Sequence, residues 1–149
     1  MSIEVAKSAG FCFGVDRAVQ MVYQLLDEGK KVYTLGPIIH NQQMVDRLSS
    51  MGVRTLSSLS EATPSDTIVI RSHGVPEKMI KQLEERKLVF FDGTCPFVAK
   101  IHKIVNSASQ KGDTILVAGD SAHPEVKGIC GHCLGPVFCV ASPEEVQAL

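Results

Sequence analysis

Tryptophan is absent and tyrosine occurs only twice in 149 residues. Single-stranded nucleic acid binds by stacking on aromatic platforms, so that class of partner is poorly served. Positive charge is scarce too: no run of Lys or Arg exceeds two residues, and the formal net charge is -1. Polyanions and acidic membranes need a basic patch, which speaks against nucleic-acid and membrane partners. Long apolar runs are missing; stretches such as Ile115 to Ala118 fall far short of the ~20 residues a membrane helix needs. The chain opens MSIEVAK, with Glu4 where a secretory leader carries positive charge and no apolar region behind it. A cytoplasmic or equivalent compartment is therefore expected. An even cysteine count is lacking as well. Five cysteines (Cys12, Cys95, Cys130, Cys133, Cys139) fit a disulfide framework poorly, and in such a compartment they stay reduced. No G-x-G-x-x-G and no Walker A lysine motif is present.

What is present alternates. A chain with 44% hydrophobic residues and this length buries about 68–70% of its unfolded surface. Ile3 to Ala6 reads as a strand. Val15, Ala18, Val19, Val22, Leu25 and Leu26 recur at helical spacing up to Gly29. Strands follow at Lys31–Leu35, Thr67–Ile70, Leu88–Phe91, Thr114–Ala118 and Val137–Val140. Helices are predicted over His40–Met51, Pro76–Arg86, Pro96–Gln110 and from Pro143, capped by Ser142. The alternation predicts an α/β fold of parallel sheets flanked by helices on both faces. Ser57 to Ser65 is Ser-rich and reads as a surface connection. The frame G-x-C-x-x-V occurs twice, around Cys12 and around Cys95, which suggests a duplicated βα unit. A soft domain boundary is drawn near Thr94, giving a first α/β domain over 1–94 and an incomplete second over 95–149.

Polar residues interrupt the strand-to-helix turns at Cys12, His40, His73, Cys95 and His123, with Glu125 two residues on. In open parallel sheets these turns lie at the carboxyl ends of the strands, where such folds bind ligands. Cys12 and Cys95 fall at predicted helix N-termini. The helix dipole there favours a thiolate, the form that ligates iron or zinc. A lone cysteine is more often a small buried hydrophobe; a pair matched in frame and context points to metal. Their separation excludes a ferredoxin or zinc-ribbon spacing, so any shared metal is assembled from distant loops. A single histidine in a turn is commonly a cap or a core residue. Three in equivalent turns make an anion site, phosphate above all, with Gly74 allowing close backbone approach. Glu125 reads either as a first-turn helix residue or as a proton relay. Cys130-Gly131-His132-Cys133 is a C-x-x-C that suggests zinc or thiol redox work but lacks a second ligand pair. His102 lies beside an apolar helical stripe and reads as structural.

The segments GFCFGVDRA, GPIIHN, RSHGVP, FDGTCPFV and AHPEVKG, in this order, make the chain resemble the 4-hydroxy-3-methylbut-2-enyl diphosphate reductase family over essentially its whole length. The resemblance implies a trefoil of three α/β domains around a central cavity, of which this chain is the first one and a half. It implies a [4Fe–4S] cluster held by three cysteines, with Cys12 and Cys95 as two of them. It further implies that His40, His73 and His123 hold the substrate diphosphate and that Glu125 delivers a proton. The implied activity is two-electron reductive dehydroxylation of an allylic diphosphate to isopentenyl and dimethylallyl diphosphate, in non-mevalonate isoprenoid biosynthesis. The implied electron donor is a protein such as ferredoxin or flavodoxin. Family members are about twice this long, so a third cysteine and the rest of the diphosphate site would lie beyond Leu149. The chain is accordingly expected to be an N-terminal half that is not a competent enzyme without its C-terminal half. Two other classes stay open: a non-enzymatic remnant, and a thiol-redox or zinc protein using Cys130 and Cys133.

Overall fold

The computed structural model describes residues 2–149. The first helix, α1 (Phe13–Asp27), buries the stripe Ala18, Val19, Val22 and Leu25. Four strands follow, β1 (Val32–Leu35), β2 (Arg54–Leu56), β3 (Thr67–Ile70) and β4 (Val89–Asp92), separated by α2 (Gln42–Ser50), a short 3-10 turn at Leu59–Glu61, and α3 (Glu77–Glu85). They pair in parallel in the order β2-β1-β3-β4. β1 and β3 form the centre in the register Val32↔Thr67 to Leu35↔Ile70.

Because side chains alternate across a strand, each central strand feeds two cores. Val32 and Val69 join Val19, Val22 and Leu48 from α1 and α2 on one face. Tyr33, Leu35, Ile68 and Ile70 join Leu59 and the α3 residue Leu83 on the other. All four residues of β1 and of β3 are buried, as expected for a sheet covered on both faces. The chain leaves β1 to one side through β2 and returns to the other through β3. The crevice between the carboxyl ends of β1 and β3 is therefore the switch point at which open α/β sheets take ligands.

The second sheet is smaller. α4 (Pro96–Gln110) leads to β5 (Ile115–Ala118), α5 (Pro124–Cys130), β6 (Val137–Val140) and α6 (Pro143–Gln147), with β5 and β6 paired in parallel. Its core has three buried members, Val105, Val117 and Ile129. Parallel sheets flanked by helices are thus the architecture expected from the alternation.

Two expectations fail locally. Ile3 to Ala6 is not a strand: the segment is exposed, with Ile3 at 92% and Val5 at 78%. Alternating apolar residues make a strand only beside a neighbouring edge, and among the described residues no strand pairs with this segment. Conversely β2 has no counterpart among the strands expected from the sequence. It is three residues long, exposes Arg54 and Thr55, and buries only Leu56, so it carries too little alternation to be seen.

Candidate functional site

The turns at the carboxyl ends of the strands converge. Gly36 leaves β1 with φ +73°, and the chain runs through buried Ile38 and Ile39 to exposed His40. Asn41 then caps α2, its Oδ1 accepting from Met44 N at 2.9 Å. After β3, Ser72 donates both N and Oγ to Ile38 O, at 3.4 and 3.3 Å, which ties the two turns together and sets His73 beside His40. The ring centroids of His40 and His73 are 4.5 Å apart. His123, at the N-cap of α5, lies 5.5 Å from His40 and 5.8 Å from His73. Residues 33 and 83 positions apart in sequence thus form one imidazole triangle.

Burial disfavours the charged form of one of these rings. Burial, with the charges of His40, Arg71 and His123 adding to it, lowers His73 to about 4. His123 Nδ1 accepts from Glu125 N at 3.2 Å, which leaves Nε2 as the ring's donor. A triangle of N–H donors beside helix ends suits an anion rich in oxygen. Glu125 sits half-buried in the first turn of α5, next to this triangle.

The paired cysteine frames converge as well. Cys12 is the N-cap of α1 and Cys95 the N-cap of α4, and neither side chain caps its helix. Gly14 lies against Cys95, and a Cβ there would collide with its Sγ. Arg17 of α1 clamps the approach, donating from Nη1 to Thr94 O at 3.1 Å and from Nη2 to Asp92 O at 3.2 Å. Cys95 N donates to Ser72 O at 2.9 Å, so this thiol stands beside the turn that carries His73. Both thiols are free, the donor type that soft metals and iron–sulfur groups take. Only the Cys95 frame follows a strand. Cys12 follows the irregular segment at Ile3–Ala6 and the turn after it, not a strand. Among the described residues, no three His, Cys, Asp or Glu side chains converge on one ion-sized position.

The C-x-x-C lies elsewhere. Cys130 ends α5, and Cys133 follows in the next turn. Burial raises the Cys130 thiol, Cys139 adding to it, and burial with Cys130 raises Cys133. Cys133 donates to Ile129 O at 3.6 Å. These are protonated packing thiols at a helix C-terminus, the end opposite to the one that favours thiolates. His102 is buried, and its ring stacks on His132 at 4.1 Å and 21°.

Arg71, which the sequence did not single out, is part of this edge. Its Nε is buried with no hydrogen-bond partner, and its guanidinium lies against Gly36, where a Cβ would come within 2.7 Å of Nη1. Only the proximity of Arg71 to the S-H-G turn could have signalled it.

The LytB protein family model matches residues 3–149. Relatives named 4-hydroxy-3-methylbut-2-enyl diphosphate reductase include those of Pelobacter propionicus, 49% identical over 149 residues, and Clostridioides difficile, 41% identical over 148. These alignments cover 100% and 99% of this chain, and 53% of each relative. A solved structure of (E)-4-hydroxy-3-methyl-but-2-enyl diphosphate reductase, described as the terminal enzyme of the non-mevalonate pathway, superposes with a TM-score of 0.83 at 41% identity. It is matched over 98% of this chain and 53% of its own. The E-1-hydroxy-2-methyl-but-2-enyl-4-diphosphate reductase of Plasmodium falciparum superposes with a TM-score of 0.89 at 26% identity, over 96% of this chain and 45% of its own. The chain spans about half the length of the curated relatives it matches.

Proposed function

The chain belongs to the LytB protein family, and from that premise we propose that it forms the diphosphate-binding and cluster-binding edge of a 4-hydroxy-3-methylbut-2-enyl diphosphate reductase. The observation that carries the reading is the imidazole triangle of His40, His73 and His123 at the sheet's switch point. Nothing in packing requires three exposed or half-exposed rings there, whereas a diphosphate does. Cys12 and Cys95 are two ligands of a [4Fe–4S] cluster. Their free thiols are unused as caps, and Gly14, two residues after Cys12, packs against Cys95, which fits that group. Such a cluster would supply low-potential electrons and a Lewis-acidic iron.

The chain's own residues perform the rest. The imidazole N–H donors fix the diphosphate and so hold the substrate's far end in one place. Glu125, half-buried beside them, holds the proton for the departing hydroxyl oxygen. Replacing that C–O bond by C–H consumes two electrons and two protons and releases one water, giving isopentenyl and dimethylallyl diphosphate. A ferredoxin or flavodoxin delivers the electrons in the cytoplasm, and the partner residues come from the remainder of the relatives' length. The division into domains at 1–94 and 95–149 is part of the same proposal.

The test is an anaerobic assay on this chain extended to its relatives' full length. The protein is reconstituted with iron and sulfide and reduced with dithionite and methyl viologen. The two five-carbon diphosphates and one water per two electrons are expected. Substrate recovered unchanged from a protein with a full cluster complement would overturn the proposal.

A further inference from the structure

The switch point holds one more polar group. Arg71 follows β3, two residues before His73, and its guanidinium lies against Gly36 of the β1–α2 turn. Gly36 makes the room: a Cβ there would meet Arg71 Nη1 at 2.7 Å and Cζ at 3.2 Å. The backbone at Gly36 has φ +73°, a conformation that L side chains rarely adopt. The head group is left without a carboxylate. The ion pairs of the described residues are Lys30–Glu28, Lys31–Asp66 and Lys81–Glu77, and Arg71 Nε has no hydrogen-bond partner at all. A half-buried guanidinium with no anion beside it is costly unless an anion arrives.

The neighbouring site has the opposite need. A diphosphate brings two or more negative charges, and burial draws His73 down to about 4, so that ring brings little positive charge to them. We infer that Arg71 is a positioning residue of the anion site, its guanidinium seated against Gly36 at the switch point to supply the site's fixed positive charge. The inference rests on the diphosphate reading above and adds to it the source of charge. The Arg71 charge is near enough to His73 to help lower that ring, and its planar fork offers donors in a fixed geometry. Burial draws its basicity below the ordinary value, yet a guanidinium starts so high that it stays cationic at neutral pH.

Inorganic pyrophosphate is the probe, titrated into this chain extended to its relatives' full length and into the Arg71→Gln and Arg71→Lys variants of that protein. Binding is read by calorimetry and by the histidine ring resonances. Arg71→Gln is expected to weaken pyrophosphate binding about ten- to a hundredfold, the range for losing a charged partner. Arg71→Lys, which keeps the charge, should stay within about threefold of the parent. Inorganic pyrophosphate should also move the Arg71 Nε resonance in the parent protein, a readout that survives if Arg71→Gln misfolds. A parent that binds pyrophosphate with the Arg71 resonance unmoved and with Arg71→Gln equally tight overturns this inference and leaves the triangle's role intact. A parent whose histidine resonances ignore pyrophosphate overturns the diphosphate reading and this inference with it.

Discussion

Glu125 occupies the first turn of α5, where its backbone N–H is tied to His123. An acid in a first turn is favoured by the helix dipole whatever its task, so binding and turnover must be separated to find that task. Glu125→Gln keeps the size and loses the proton. In the full-length protein it should bind substrate nearly as the parent does and turn over at least about a hundredfold more slowly, within the range for general acid–base groups. A turnover number at parent level, with an artificial reductant, would leave Glu125 only its place in the helix. The triangle is tested the other way round. Replacing His40, His73 or His123 singly with Phe removes one donor to a charged oxygen and should cost about ten- to a hundredfold in affinity. If all three variants bind as the parent binds, the rings are not an anion site. Each histidine was legible because it follows an apolar run and precedes a helix, so the fold itself puts it on the ligand edge. Arg71 was not, because a strand-end arginine usually reaches solvent. Only the third dimension shows Gly36 vacating space for it.

At the scale of elements, the approach of α1 to α4 decides whether two thiols 83 residues apart serve one group. Gly14 is the contact. In a helix, Gly→Ala is ordinarily favourable by about 1 kcal/mol, but here the new methyl collides with Cys95. Overpacking of that kind costs about 1–3 kcal/mol, so the collision prevails. Gly14→Ala should lower Tm by several degrees and reduce the iron and sulfide retained after reconstitution. Cys12→Ser and Cys95→Ser should abolish the cluster's visible absorption with little change in Tm. Full iron content in all three variants would end the ligand assignment. The longer helices were readable from their apolar stripes, and Pro96 and Ser142 stand where two helices begin, whereas the seven-residue α5 is too short to show a stripe. The strand at Ile3–Ala6 was misread and β2 was missed for one reason. A short strand is specified by the edge it pairs with, and that edge lies elsewhere in the sequence.

Across the whole molecule the two sheets are unequal. The first has two cores with ten buried members each, and the second has three buried residues. Local stability follows buried contact, so the β5–β6 sheet should open before the first sheet does. What holds it in place is partly titratable. Buried His102 of α4 faces Gly74 of the β3–α3 turn, where a Cβ would lie 2.6 Å from its Cε1, and Gly128 of α5, where one would lie 3.2 Å from its Nε2. His132 stacks on it and donates from Nε2 to Val75 O at 3.1 Å. Burial, then the His132 charge, pulls His102 down to about 4, with Asp92 opposing. An opened state returns that ring to an ordinary value near 6.5. Between those two values the opened state takes up a proton that the closed state refuses, so the closed state loses ground as the pH falls. By pH 5 the loss is about 2 kcal/mol, and it is fully developed below about 4. Amide exchange of β5 and β6, corrected for intrinsic rates, should therefore show about twentyfold less protection at pH 5 than at pH 7. Amides in β1 and β3 should change less while the first sheet stays closed. His102→Gln removes the proton acceptor and should flatten the pH dependence of the second sheet. Equal protection of β5 and β6 at both pH values in the parent would mean that the histidine stack stays closed when that sheet opens. The first sheet, with the His40 and His73 turns, would then be mechanically independent of the sheet that brings His123.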